Sequence, residues 1–476
     1  MGRTTLDASI GTTAPRGPEL LVELGDAAAG TRGIRVESAL RDAVTEGRVA
    51  PGARMPSTRA LARDLAVSRR LVVEAYAQLV AEGLLEGRHG SGTFVTAAGA
   101  VGPSPAPGGG AVQATPRPPY DFFPGSPDLG SFPRAAWLRA VRDALREAPD
   151  SALHYPDPAG TPELRTALAR HLSRARGAQA RPDRIVIVSG ARQGLAVLSR
   201  ALRALGHEQI AVEQPTLPLH VAVLRAGGLQ VRGVPVGAGG LDVAALARSA
   251  ADAVLATPAH QMPLGVALAP AARGALLDWA AAAERRVVIE DDYDAEFRYD
   301  RRPLGALQGR APERVAYLGS ASKTLAPGLR LGWLLLPAQL VEPVREQKQL
   351  DDGGSGVLDQ LALARLLDGD AYDRHLRLAR RRNRLRRDAL QAALAEHIPG
   401  ARLEGMAAGL HAIARLPRAV PLGPLTANAH ARGVGVGGLP ADDGTTDALV
   451  LGYAGLSAPA IAEGVRRLAA AVAETA

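Results

Sequence analysis

The chain has no cysteine in its 476 residues. This excludes a disulfide framework, a thiolate metal centre and a cysteine nucleophile. No apolar run reaches membrane-spanning length, and Met1 to Thr13 lacks an apolar signal-peptide stretch. A soluble, cytoplasmic protein with no membrane partner is the expectation. Lysine is nearly missing too. Of 56 Lys and Arg residues, only Lys323 and Lys348 are lysines. The sequence writes almost every cation as Arg, so these two exceptions call for a chemical reason.

What is present sets further bounds. At ~100–200 residues per domain, the length suggests roughly two to four domains. The formal net charge of +8 permits an acidic partner such as nucleic acid without requiring one. One stretch, Ala97 to Pro119, is dominated by Ala, Gly and Pro. It includes Pro103-Ser104-Pro105-Ala106-Pro107 followed by three glycines, and it reads as a linker. The expected organisation is a disordered leader (1–16), a small unit (17–96), the linker (97–119) and a large unit (120–476). No short-period repeat is visible.

In the small unit, apolar residues at helical spacing predict a helix over Arg32 to Thr45. Ser57 and Ser68 are expected N-caps for helices Thr58–Leu65 and Arg69–Glu82. Leu84 to Val95 reads as a hairpin with Gly90-Ser91-Gly92 at its tip. Three helices and a hairpin form the pattern of a winged helix-turn-helix. Ser68, Arg69 and Arg70 open the third helix, which would enter a major groove. An arginine there can pair bidentately with guanine. Arg59 begins the preceding helix and suits a phosphate, and Arg88 and His89 flank the hairpin tip. Charge alone leaves open that these are ordinary solvated arginines.

The large unit alternates apolar strands with helices, the pattern of an α/β fold with a mainly parallel sheet. The expected strands are Arg184–Val188, Gln209–Val212, Ala253–Ala256, Arg286–Ile289 and Val315–Leu318. Ligands of open α/β sheets bind beyond the carboxyl ends of the strands. Lys323 follows one such end, within Ser320-Ala321-Ser322-Lys323-Thr324. Only a primary amine forms a Schiff base, so Arg cannot replace it there. Glu290 to Asp294 follow a second strand. The other strand ends offer what pyridoxal phosphate would need on such a lysine: one carboxylate there can hold its pyridinium proton, and Tyr293 can bond its phenolic oxygen. The same cluster could bind a divalent cation. No His is expected near the cluster, and a metal would leave Lys323 unexplained; both argue against a metal. Ser189-Gly190-Ala191-Arg192 opens a helix whose free N–H groups suit a phosphate, and Arg330 can clamp it. Thr257 to Gly265 follow a fourth strand.

The small unit resembles the GntR family of DNA-binding domains, on Glu46 to Ala62, Val67-Ser68-Arg69, Ala75-Tyr76 and Glu82 to Val95. That resemblance implies DNA contacts at Arg59, Arg69 and the wing residues around His89. The large unit resembles the fold-type I aminotransferases. The combination is similar to the MocR/GabR-type transcription regulators. Further shared wording is His154 to Gly160, Thr257 to Gly265 and Ile289 to Tyr299. The resemblance implies pyridoxal 5'-phosphate as cofactor, with Lys323 carrying the internal aldimine. It implies that Asp291 faces the pyridine nitrogen and Tyr293 the phenolic oxygen. Ala191, Arg192, Ser320, Ser322 and Arg330 would surround the phosphate. A homodimer on operator DNA, responding to the cofactor itself, an amine or an amino acid, is also implied.

Two departures from the family stand out. Leu217 follows Glu213-Gln214-Pro215-Thr216, where relatives place an aromatic over the cofactor ring. No arginine in Gly433 to Pro440 suits a substrate carboxylate. Both favour a sensor over an efficient aminotransferase, the alternative reading, with a residual half-reaction possible. A scaffold that merely binds nucleic acid leaves Lys323 unexplained. The arginine-rich segment Arg374 to Arg387 is expected to be a solvated or ion-paired helix face.

Overall fold

The computed structural model describes residues 32–97, 117–299 and 304–475. The expected leader and nearly all of the expected linker lie outside them. Internal contacts divide the chain into two compact units, Met1–Thr115 and Pro116–Ala476.

The first unit comprises helices α1 (Arg32–Thr45), α2 (Thr58–Asp64) and α3 (Arg69–Ala81), then strands β1 (Leu85–Arg88) and β2 (Gly92–Val95). A helix leaves its first N–H groups without partners. Ser57 Oγ accepts from the Ala60 N–H at 3.2 Å, and Ser68 Oγ from the Leu71 N–H at 3.4 Å, so both expected caps form. The turn from α2 to α3 places Ala66 at φ +51°, a left-handed conformation rare outside glycine. The strands pair antiparallel with Leu85 opposite Val95, and Gly90 and Gly92 take positive φ at the tip. Val36, Leu40, Met55, Leu61, Val72, Leu79, Leu85 and Val95 form one buried core. This is a winged helix-turn-helix.

The second unit is α/β. Strand β3 (Tyr120–Asp121) precedes the main sheet, which contains β4 (Ile185–Val188), β5 (Gln209–Gln214), β6 (Gln230–Gly237), β7 (Gly240–Leu241), β8 (Ala253–Ala256), β9 (Val287–Asp292), β10 (Val315–Ser320) and β11 (Gly332–Leu335). Their spatial order is β4-β11-β10-β9-β8-β5-β6-β7. Only β11 and β7 run against the others. The carboxyl ends of β4, β5, β8, β9 and β10 therefore lie along one edge. Strands β4 and β8 are buried throughout, as suits a sheet covered on both faces. A second sheet joins β12 (Arg402–Glu404), β13 (His411–Pro421), β15 (Gly437–Gly438) and β16 (Thr445–Gly452), while β14 (Val434–Gly435) pairs with β3.

Three strand ends expected from the sequence are corrected, the first being that β5 runs on to Gln214 and does not end at Val212. Strand β9 does not stop at Ile289 but runs through Asp292, and β10 runs through Ser320. Charged residues look like loop in a sequence, yet each carboxylate here has a place. Side chains alternate faces along a strand. Glu290 accepts from the Leu307 and Gln308 N–H groups, and Asp292 takes Arg176 and the Tyr317 hydroxyl. Asp291, between them, points the other way.

Candidate functional site

A cavity of about 320 Å³ opens at the shared strand edge. It is lined by Asp291 and Ser320 from β9 and β10, with Tyr293, Ser322 and Lys323 just beyond. Ala191, Arg192 and Arg330 form another wall. All eight residues expected around the cofactor thus meet in one pocket. Its volume falls within the range of small-molecule sites.

The Lys323 ammonium donates to the Gly125 carbonyl at 2.6 Å. Gly125 has φ +107°, and a Cβ there would come within 3.1 Å of Nζ, so glycine is needed beside the amine. Burial pushes the Lys323 amine below its ordinary value, against the pull of Asp294 and Asp291. A depressed amine is a better nucleophile near neutral pH. Burial pushes Asp291 up to about 7, helped by Asp292, Asp294 and Glu213 and opposed by Lys323. A buried carboxyl of this kind is poised to ionise when a cation arrives beside it.

The wall formed by Ala191, Arg192 and Arg330 is built differently. Gly190 precedes the helix Ala191–Ala204 at φ +86°, and no side chain caps that helix. Its first N–H groups point outward, an arrangement that suits an anion. The Arg330 guanidinium bonds the Ser189 carbonyl, and a Cβ on Gly190 would approach it to 3.2 Å. Arg330 itself holds φ +52°. Ser320 Oγ accepts from the Ser322 N–H at 2.9 Å, which folds the loop before Lys323. The amine, the buried carboxyl and the anion cup fit pyridoxal phosphate in chemistry and in order.

Several residues of the site were not legible in the sequence. His220 lines the cavity beside Leu217, with Nδ1 3.9 Å from Asp291 Oδ2. Burial and Lys323 push it down to about 4, so it stays neutral. It brings an aromatic ring to the wall where Leu217 alone promised apolar cover. His260, Asp294 and His411 form a buried group beside Tyr293, with ligand atoms within 4.8 Å of one another. The expectation that no His lies near the carboxylate cluster is thus corrected, because the fold brings in His220, His260 and His411 from distant segments.

Glu213 at the end of β5 is wholly enclosed. It accepts from the Thr257 N–H at 3.1 Å and hydroxyl at 2.5 Å. Burial pushes it up to about 7. The native state therefore binds a proton that the unfolded chain releases near pH 4.5, and stability from this group falls as pH rises towards 7. Glu213→Gln is expected to stabilise the protein by about 1–3 kcal/mol at pH 8 and hardly at all at pH 5. Urea unfolding at the two pH values checks this. A pH-independent effect would contradict the assignment.

Lys348 also finds its reason. Its ammonium is fully buried, bonds Asp352, and reaches Ser355 Oγ at 3.1 Å. Ser355 Oγ stands 3.4 Å from Ser189 Oγ, behind the anion cup. A compact ammonium fits between these oxygens, and a guanidinium fork is a poor match.

In the first unit, Arg59, Arg69 and His89 are exposed, and Arg69 Nε lies 3.4 Å from Thr58 Oγ1. Arg70 is paired with Glu74 at 2.7 Å. Arg88 is paired with Glu86 and lies over the Phe94 ring at 4.5 Å. Ser68 is occupied as the cap. The arginine-rich helix, Asp370–His397, divides its cations. Arg382 and Arg386 hold Asp128, and Arg380 bonds the Glu296 carbonyl. Arg374, Arg377, Arg381 and Arg384 are exposed.

The fold and site define a winged-helix DNA-binding unit joined to an aminotransferase-like domain. Comparison with known proteins agrees. Residues 126–430 match the aminotransferase class I and II family, and residues 34–95 match the bacterial regulatory proteins of the gntR family. The chain belongs to the MocR/GntR-type transcriptional regulators, with an aminotransferase-like sensor domain. It is 34% identical to the HTH-type pyridoxine biosynthesis transcriptional regulator PdxR of Corynebacterium glutamicum, over 79% of this chain and 81% of that protein. It is 31% identical to the probable rhizopine catabolism regulatory protein MocR of Rhizobium meliloti, over 91% and 92%. Among solved structures, the kynurenine aminotransferase of Pyrococcus horikoshii is similar, with a TM-score of 0.67 and 26% identity over 74% of this chain and 90% of that one. This homology supports a capacity to bind pyridoxal phosphate. No described helix is long and apolar enough to cross a membrane.

Proposed function

We propose that residues 17–96 bind operator DNA and that residues 120–476 bind pyridoxal phosphate and, through it, an amine-bearing effector. The single observation that carries this reading is Lys323, a depressed amine in a cavity shared with Asp291, Tyr293 and the anion cup. The cofactor supplies an aldehyde that condenses with a primary amine, losing water, and a ring that draws electrons when its nitrogen is protonated. Asp291 holds the proton at that nitrogen. Tyr293 offers its hydroxyl to the phenolic oxygen. Ala191, Arg192 and Arg330 take the phosphate, with Ser320 and Ser322 shaping the loop beside it. His220 and Leu217 close one wall against water.

An effector changes DNA binding only if it binds two states of the protein unequally. Lys323 is the residue that would hold the cofactor and be released by a competing amine, and a difference in how the freed and attached lysine contacts Gly125, Asp291 and Asp294 would supply that inequality. The protein acts as a cytoplasmic homodimer, which brings two winged helices to paired half-sites. The cations among the described lining residues are Arg192 and Arg330 at the anion cup and Lys323. This lining supports a sensor of the cofactor or of an amine over an amino-acid transaminase.

The test is a gel-shift titration of the full chain on the DNA upstream of its own gene, with and without pyridoxal phosphate. The expected result is a change in operator affinity of at least about fivefold, the lower end of typical coupling. Identical affinity with and without the cofactor, across a panel of amines, would overturn the reading. Rapid turnover of an amino acid with a 2-oxo acid would favour the enzyme instead.

A further inference from the structure

The buried group beside Tyr293 is unused by the reading above. Tyr293 Oη lies 3.1 Å from His260 Nδ1, and the same nitrogen lies 2.9 Å from Asp294 Oδ2. His260 and Asp294 are both almost fully buried, at 3% and 1% exposure of their side chains. The imidazole is locked in place. A Cβ on Gly409, at φ +70°, would fall 2.2 Å from His260 Cε1 and 2.5 Å from the Asp294 carboxylate. His411 packs against His260 and also lines the cavity, its ring 5.0 Å from that of His260 and its Nε2 3.2 Å from the Pro263 carbonyl.

We infer that Asp294 and His260 are positioning residues that act through Tyr293, fixing its hydroxyl as a donor towards the cavity. The inference rests on the cofactor reading of that cavity. A ring nitrogen facing a carboxylate at hydrogen-bond distance must carry the proton, because its lone pair would be repelled. Asp294 therefore selects the tautomer with hydrogen on Nδ1. That N–H cannot accept from Tyr293; it can only donate to the phenol oxygen. Asp294 also acts as a side-chain acceptor towards the phenol, and sharing its charge with the Nδ1 hydrogen weakens that inward pull. The phenol proton is left for an oxyanion on the cavity side, and the N–H stabilises the charge this draws onto the phenol oxygen. Asp294, Asp291 and Glu213 are the carboxyl groups acting on Tyr293, with Lys323 across the cavity and His411 on its wall against His260. Burial and the three carboxylates keep the phenol well above its ordinary pKa, so it remains a donor. A metal ion is the weaker reading of the His260, Asp294 and His411 group. Both imidazoles already have a protein oxygen at hydrogen-bond distance.

The test is the pH midpoint of the visible absorbance of the lysine-bound cofactor, in the full chain loaded with pyridoxal phosphate. A donor to the phenolic oxygen competes with the proton shared between that oxygen and the attached nitrogen. Weakening the donor therefore raises the midpoint. Tyr293→Phe is expected to raise it. His260→Phe is expected to raise it by roughly half to one pH unit, and to have no effect when combined with Tyr293→Phe. His260→Ala replaces His260→Phe if the latter does not fold. His260→Gln, which keeps an N–H donor, is expected to shift the midpoint by less than half as much. An unchanged midpoint in the His260 variants, or a shift that persists without the Tyr293 hydroxyl, would overturn the inference while leaving cofactor binding intact. A wild type with no such absorbance would overturn the cofactor reading and the inference together.

Discussion

Lys323→Ala is expected to abolish covalent capture of pyridoxal phosphate completely. Borohydride reduction of the loaded wild type should fix one cofactor per chain on the peptide containing Ser320 to Arg330, read by mass spectrometry. The composition makes this assay unusually clean. The only other lysine is Lys348, which is fully buried and bonded to Asp352 and Ser355. A label found there would mean that the protein had unfolded before reduction. Lys323→Arg is the informative companion. It keeps the cation beside Asp291 and Asp294 but cannot condense with an aldehyde. It should therefore lose the label while still admitting the cofactor through the anion cup. If Lys323→Ala retains the label, the site has been misplaced. If both variants lose it yet keep the full DNA response to the cofactor, the covalent step has no part in signalling. The anion cup would then be the whole sensor.

How much of this site could be read in advance depended on where its residues sit in the chain. Lys323 was legible because the composition isolates it and the apolar run of β10 precedes it. Asp291 was legible as a member of a carboxylate cluster, but the choice among three neighbours needed the strand. Once β9 extends to Asp292, alternation sends Glu290 and Asp292 to partners on one side and leaves Asp291 to the cavity. The small unit was legible almost to the residue. Helix α1 and both serine caps are local features, set by spacing within one segment. His220 and Gly409 were not, and His260 was visible only as one member of Thr257 to Gly265. Each matters only because the helix after β5, the loop after β8 and the segment before β13 come together over β9, and no spacing within a segment reports that. Arg70 and Arg88 show the converse limit. Their positions suit DNA, but each already holds a glutamate nearby, which a pattern of basic residues does not reveal.

That difference divides the arginines of the winged helix. Arg69 opens α3 and is exposed, and the described structure gives it only a long contact to the Thr58 hydroxyl. It is free to reach a base edge. Arg69→Ala is expected to weaken operator binding by about 1–3 kcal/mol and to relax the sequence preference at one base pair. Arg59 starts α2, where a phosphate contact positions the protein without reading sequence. Arg59→Ala should weaken specific and non-specific DNA alike, and lower the slope of log affinity against log salt by roughly one. Arg70→Ala should do less than either, since Arg70 must first leave Glu74. All three side chains are exposed, so the melting temperature of each variant should match the wild type within the scatter of surface substitutions. Fluorescence anisotropy at several salt concentrations, on the operator and on a scrambled duplex, separates the outcomes. Equal losses on both duplexes for Arg69→Ala would mean that α3 lies along the backbone. A loss confined to the operator for Arg59→Ala would exchange the two roles. Either result would change which helix is taken to read the groove, while the fold that presents both would stand.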